Sequence, residues 1–510
     1  MKSDTIRTVA GIVARGEGPA IGEPGRACMD YATLGRQIEA VAGQLAGAGI
    51  GPGDAVAIVA PNGPEMASAF LCVATVAVAA PLNPAYTEDE FAFYMEDLAA
   101  KALIVVVGDA TPARAAAARL KVRVIEMAAP DGAPAGAFTL SAPGGAVLAA
   151  GSAARRNGPD DAALVLHTSG TTSRPKIVPL TSRNICASAF SIARTLGLGA
   201  GDRCLNIMPL FHIHGLMAAT LGSLAGGGAI ICTPGFNALK FFGWLRDTRP
   251  TWYTAVPTMH QAILARAERN ADIIAGAKLR FVRSSSASLP LPVLRGLEET
   301  FGCPVIESYG MTEASHQMTS NQLPPGLRKP GSVGAAAGPQ VAVMGGNGAL
   351  AGPGETGEIV IRGENVTPGY QNNPKANAEN WVDGWFRTGD QGSMDADGFL
   401  TISGRLKEII NRGGEKISPR EVDDVLVEHP AVAQALTFAM PHDKLGEEVA
   451  AVIVLREGAE ADARSIRDFA AKSLAAFKVP REIVFRDEIP KGATGKLQRI
   501  GLAAKLGLGS

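Results

Sequence analysis

Residues 168–176 read Thr-Ser-Gly-Thr-Thr-Ser-Arg-Pro-Lys. Thr168, Ser169, Thr171, Thr172 and Ser173 crowd hydroxyls around Gly170 and beside two cations, Arg174 and Lys176. A run of hydroxyls, backbone N–H groups and a lysine suits an oxyanion-rich ligand, above all a polyphosphate. It is not a Walker loop, which would need a glycine where Pro175 stands. Taken alone, the run also describes a polar surface linker, as most Ser/Thr/Gly stretches do.

The elements that must hold this loop are legible on both sides. Ala162–Leu166 is a short apolar run of the buried-strand type, and a helix is expected to begin near Ser182. The whole chain has 510 residues, enough for about two to four domains. Hydrophobic residues make up 46% and charged residues 19%, a globular balance. A net charge of −1 without basic or acidic blocks points away from nucleic acid and anionic membrane surfaces. The cysteines (Cys28, Cys72, Cys186, Cys204, Cys232, Cys303) are scattered, form no metal-type pair, and suit a reduced, cytoplasmic protein. Met1-Lys2-Ser3-Asp4 leads into no secretory core, and the Leu-Gly-Ser end matches no common address. Apolar runs at 66–82 and 216–232 approach membrane-span length, but the second is broken by Gly222 and Gly226-Gly227-Gly228. Both are expected to be buried helix–strand segments rather than spans.

Residues 1–150 and 201–330 alternate helical and strand patterns. Helices are expected from Tyr31 to about Ala48 and over 258–270; strands at 55–60, 102–107, 229–232, 252–256, 279–283 and 304–309. Repeated units of this length predict a parallel α/β sheet, with ligands at the strand carboxyl ends. Residues 128–160 are rich in Ala, Gly and Pro and are expected to be a variable surface connection. From 330 to 404 the texture turns β-rich and Gly-punctuated. Residues 408–510 look like a smaller α+β unit with helices at 419–428 and 464–476 and strands at 432–438 and 449–455.

Five ordered stretches carry a resemblance. They are residues 168–176, Glu307-Ser308-Tyr309-Gly310-Met311-Thr312-Glu313, Trp385-Phe386-Arg387-Thr388-Gly389-Asp390, Gly404-Arg405-Leu406-Lys407-Glu408 and Pro490-Lys491-Gly492-Ala493-Thr494-Gly495-Lys496. Together they resemble the signature series of the adenylate-forming superfamily of acyl-CoA synthetases, adenylation domains and luciferases, over nearly the entire chain. Met208–Leu216, Arg283–Leu289 and Glu313-Ala314-Ser315-His316 are most similar to oxalate–CoA ligases. The resemblance implies an α/β fold: a large N-terminal α/β domain with a β-rich subdomain (1–404), a hinge (405–408) and a small mobile α+β domain (409–510).

It also implies two half-reactions. Carboxylate and ATP give acyl-AMP and pyrophosphate; CoA thiol then displaces AMP. By this likeness Thr168, Ser169, Gly170, Thr171, Thr172, Lys176, Ser308, Tyr309, Gly310, Met311, Thr312, Asp390, Arg405 and Lys496 bind ATP. Lys496 is the adenylation lysine, Glu313 the Mg²⁺ ligand, and Thr312 contacts the α-phosphate. His212 orients the reacting acid. Lys407 is the hinge residue, and Gly413, Gly414 and Glu415 face coenzyme A. Each residue type also has an ordinary reading: a surface lysine, a turn aspartate, a structural histidine.

The acid is read from side-chain polarity. His214, Ser286, Ser288 and His316, with Ser284 and Ser285, suit a small polar pocket for a short dicarboxylate; the same residues could merely cap turns. Ser173 and Ile177 depart from the glycines usual at those positions. The expected partners are a small carboxylic acid, ATP and CoA, with no nucleic acid and no membrane span, in a monomer or homodimer. Alternatives are a ligase for another short- or medium-chain acid, an enzyme loading a carrier-protein thiol, and a silent nucleotide sensor.

Overall fold

The computed structural model describes residues 5–151, 155–168, 175–490 and 497–508. Expectations for Ser169, Gly170, Thr171, Thr172 and Lys496 therefore lie outside the described residues. By internal contacts the chain divides into two units. The first holds Met1–Thr168, Pro175–Val341 and Ile361–Gly384; the second holds Ala342–Val360 and Trp385–Ser510.

In the first unit the described residues form two large sheets. One runs, edge to edge, through Thr139–Ser141, Arg123–Ala128, Ala102–Val106, Ala55–Val59, Val78–Pro81, Ala162–Thr168 and Lys176–Thr181. Its centre is parallel, and Ala55–Val59 is buried at every position. That is why the sequence shows a continuous apolar run there instead of alternation. The other sheet orders Ala335–Ala336, His316–Ser320, Val305–Met311, Phe281–Ser284, Trp252–Ala255, Arg203–Asn206, Ala229–Cys232, Pro19–Glu23 and Arg26–Asp30. From Val305–Met311 to Ala229–Cys232 it too is parallel. Leu205, Tyr253, Val282 and Val305 on its strands pack against Phe241, Leu245, Ile263 and Leu294 on covering helices.

Both long apolar runs are interior. Pro64–Ala74 is a helix buried on all sides, leading into the strand Val78–Pro81. Residues His214–Leu221 form a π-helical segment that continues into Gly222–Ala225 and the strand Ala229–Cys232. No described helix is long and apolar enough to cross a membrane. Two expectations need correction. The 258–270 helix is Pro257–Leu264 with a separate 3₁₀ turn at Glu268–Asn270. The 128–160 stretch is not wholly a surface connection, since Thr139–Ser141 pairs as an edge strand and Ala135 and Leu140 are fully buried.

In the second unit, Val432–His442 and Gly446–Leu455 form a long antiparallel pair, flanked by Ile410–Arg412 and by Glu482–Phe485. Helices Pro419–Val427 and Ala463–Ala470 cover this sheet through Val422, Leu426, Ile466 and Ala470. Trp385–Gly404 belongs to the same unit as these residues. The Ser418 hydroxyl donates to the Ser403 carbonyl, which ties the start of the 419–427 helix to the strand Leu400–Arg405.

Candidate active site

Thr168 and Lys176 stand opposite each other at the ends of the antiparallel pair Ala162–Thr168 and Lys176–Thr181. The helix Ser182–Thr195 follows directly, capped reciprocally by Thr181 and Asn184. A cap of this kind is worth about 1 kcal/mol. Asn184 also donates to the carbonyls of Glu364 and Val366, bringing the 363–371 segment alongside. That segment is stitched to both sides of the site. Thr367 Oγ1 donates to Pro179 O at 2.7 Å, Thr367 N donates to Glu313 O at 2.7 Å, and Gln371 N donates to Ile177 O at 3.1 Å.

Tyr370 is the side chain this stitching delivers. Its hydroxyl donates to Glu313 Oε1 at 2.8 Å, and Lys176 Nζ lies 4.4 Å from its ring centroid. The loop lysine and the acid at 313 are thus joined through one aromatic ring. Glu313 sits in the 3₁₀ turn Thr312–Ala314 and is 5% exposed, as is Tyr370. Among the described residues no cluster of three or more His, Cys, Asp or Glu could hold a metal alone. A single buried carboxylate fits Mg²⁺ that takes its other oxygens from phosphates and water.

The strand Val305–Met311 brings Ser308, Tyr309, Gly310 and Met311 to the same end as Thr312 and Glu313. Gly310 has a steric reason: a Cβ there would lie 1.6 Å from the His316 carbonyl oxygen. The chain reverses into His316–Ser320 through Ser315 and His316, both with positive φ (48° and 89°). Ser286 is likewise left-handed, at 73°. Strained non-glycine residues concentrate where geometry serves function.

These turns gather a cluster of polar side chains. His214 and His316 stack with ring centroids 4.9 Å apart. His214 Nδ1 lies 3.0 Å from Ser286 Oγ, and its Nε2 lies 2.6 Å from Thr254 Oγ1. Arg283 Nη1 donates to His316 Nε2 at 3.2 Å. Burial, then the neighbouring His316 ring and the Arg283 guanidinium, hold His214 well below the usual imidazole range, so this ring is neutral at pH 7. A π-helical segment starts at His214, a type of irregularity common at functional sites. His212 is half-buried, with its ring 4.6 Å from that of Phe211. Ser288 is half-buried; nothing in the structure joins it to His214.

In the second unit Asp390 and Arg405 are cross-strand partners, and Arg405 Nε donates to Asp390 Oδ1 at 2.8 Å. Asp390 is 6% exposed. Lys407 is exposed in the 3₁₀ turn Leu406–Glu408. Gly413 and Gly414 have φ of 57° and 98° and turn the chain between Ile410–Arg412 and Glu415–Ile417; Glu415 is exposed. Arg499 pairs with both Asp423 and Glu408.

Tyr370, Arg283 and Arg499 escaped the sequence reading of the site. Only Arg283 left a signal, a charge at the end of an apolar strand. The other two act through contacts distant along the chain.

The profile of the AMP-binding enzyme family matches residues 15–371, and that of the AMP-binding enzyme C-terminal domain matches residues 421–496. The chain is 45% identical to an oxalate–CoA ligase of Arabidopsis thaliana, covering 98% of each. It is 41% identical to an oxalate–CoA ligase of Saccharomyces cerevisiae, over 88% of this chain and 86% of that protein. Among solved structures, ATP-bound MatB from Rhodopseudomonas palustris superposes with a TM-score of 0.86 at 29% identity, covering 97% of this chain and 98% of that one.

Proposed function

Because this chain belongs to the AMP-binding enzyme family and is an ATP-dependent acid–CoA ligase, we propose that the acid it activates is oxalate. The observation that supports the choice is the cluster of His214, Ser286 and His316, polar side chains where a hydrocarbon chain would find no apolar surface. A site built to hydrogen-bond a polar group rejects analogues lacking it by as much as about 10⁴-fold.

In adenylation a carboxylate must approach a polyanion, so positive charge and fixed donors have to offset repulsion. Lys176 and the hydroxyl loop take the departing pyrophosphate. Tyr370 holds Glu313 in place, and Glu313 would hold Mg²⁺, which supplies charge neutralisation at the phosphates. Thr312 donates to the α-phosphate, and Ser308, Tyr309, Gly310 and Met311 border the adenine. Asp390 accepts from the ribose hydroxyls, with Arg405 beside it. His212 orients the reacting carboxylate, while Ser286, Ser288, His214 and His316 take the second one. Lys496 bridges acid and α-phosphate during adenylation. In thioester formation a hinge at Lys407 swings the C-terminal domain, and Gly413, Gly414 and Glu415 border the incoming CoA. We place the enzyme in the cytoplasm, where its reduced cysteines and its substrates belong.

The test is product analysis. Incubation with oxalate, ATP, Mg²⁺ and CoA should give oxalyl-CoA and AMP in equal amounts. Products confined to medium- or long-chain acids would refute the oxalate assignment.

A further inference from the structure

Arg283 carries a positive charge into the interior, and among the described residues no carboxylate meets it. It stands on the strand Phe281–Ser284 and is 0% exposed. Its partners are all neutral acceptors: Thr254 Oγ1 at 3.5 Å and His316 Nε2 at 3.2 Å from Nη1, and Gln317 Oε1 at 3.3 Å from Nη2. Among the described residues its Nε has no hydrogen-bond partner. Burial draws its pKa down to about 9, which leaves the guanidinium charged at neutral pH. A buried ion without a counter-charge is costly.

The guanidinium only donates, so it fixes the direction of every bond it makes. His316 Nε2 must accept, which puts that ring's proton on Nδ1. Thr254 Oγ1 accepts from Arg283, and its own proton has His214 Nε2 within reach at 2.6 Å. His214 then carries its proton on Nδ1 and gives it to Ser286 Oγ at 3.0 Å. The Ser286 hydroxyl proton is thereby turned away from His214, on an exposed residue.

We propose that Arg283 is the positioning residue that makes this pocket select acids with a second anionic group. It aligns the protons of Ser286 and His316 for that group and supplies the buried charge the group neutralises. The inference rests on the acid-pocket reading given above and goes further, assigning selectivity to a residue that need not touch the acid.

The experiment compares oxalate with glyoxylate, which keeps one carboxylate and replaces the other by a neutral aldehyde. Arg283→Met should raise KM for oxalate about 100-fold while kcat/KM for glyoxylate and KM for ATP change less than about threefold. Arg283→Lys should restore part of the oxalate loss. Equal losses for both acids, with no rescue by lysine, would overturn the proposal. Thr254→Val interrupts the relay to His214 without removing the charge, and keeps the proposal testable if the Met variant does not fold. It should raise oxalate KM about tenfold and spare glyoxylate; equal effects on the two acids would again overturn it. A wild-type enzyme that rejects oxalate but uses malonate refutes only the oxalate assignment. The Arg283→Met loss must then appear for malonate against propionate, or the proposal falls as well.

Discussion

Replacing Tyr370 by phenylalanine removes one oxygen and nothing else from the centre of the phosphate side of the site. In the native chain that hydroxyl donates to Glu313 Oε1 at 2.8 Å, and both residues are 5% exposed. A hydrogen bond to a charged group is worth about 1.5–3 kcal/mol, with little water here to replace it. Since about 1.4 kcal/mol is a factor of ten, Tyr370→Phe should lower kcat/KM for ATP about 10- to 100-fold. The ring beneath Lys176 survives in this variant. Tyr370→Leu removes it too, and a cation–π contact of about 0.5–2 kcal/mol adds a further loss of a few-fold to about 30-fold. Rates of acid-dependent AMP release, measured across ATP and Mg²⁺ concentrations, give the three values. The expected order is native, then Phe, then Leu, with the deficit deepening as Mg²⁺ becomes limiting. A Phe variant with native kcat/KM would refute the coupling of Lys176 and Glu313 through Tyr370, as would a deficit explained by a lowered melting midpoint.

Gly310→Ala should disrupt the acid pocket from behind, because its Cβ would need the space of the His316 carbonyl, 1.6 Å away. A shift of about 1 Å in a positioned group can cost about 100-fold, so oxalate kcat/KM should fall by that order while the fold persists by circular dichroism. Lys496→Ala should abolish acyl-AMP formation yet leave thioester synthesis from supplied acyl-AMP largely intact; equal loss of both would contradict two separate conformations. Stability should fall as pH drops from 6.5 to 5.5. His260 is buried and held down to about 3, and His214 is held well below 6.5, so in this window the unfolded chain takes up protons that the folded chain refuses. Each neutral histidine contributes about 1 kcal/mol to that fall, and urea unfolding of His260→Gln at the two pH values should show the difference shrink by about that amount. An unchanged difference would contradict a neutral buried His260.

The parallel strands announced themselves because both faces are covered: Ala55–Val59 and Trp252–Ala255 are buried throughout and read as runs that are apolar but for Thr254. The antiparallel edges did not. Lys176–Thr181 contains Pro179 and mixes buried with half-buried positions, and Thr139–Ser141 is short and lies in an Ala/Gly/Pro-rich stretch. The π-helical His214–Leu221 is buried all round, so it carries no periodicity from which its irregular geometry could be inferred. In the site, the motif residues were visible as chemistry, but their supports were not. Tyr370 lies 57 positions from Glu313, and Arg283 reaches His316 across 33. Only folding makes such pairs neighbours, and a residue whose role is to orient another has no local pattern of its own.

The measurement closest to the central claim is exchange of labelled pyrophosphate into ATP, with acids offered singly and no CoA present. Exchange driven by oxalate, far above that with acetate or octanoate, is the predicted result. Exchange with acetate or octanoate but none with oxalate would contradict it.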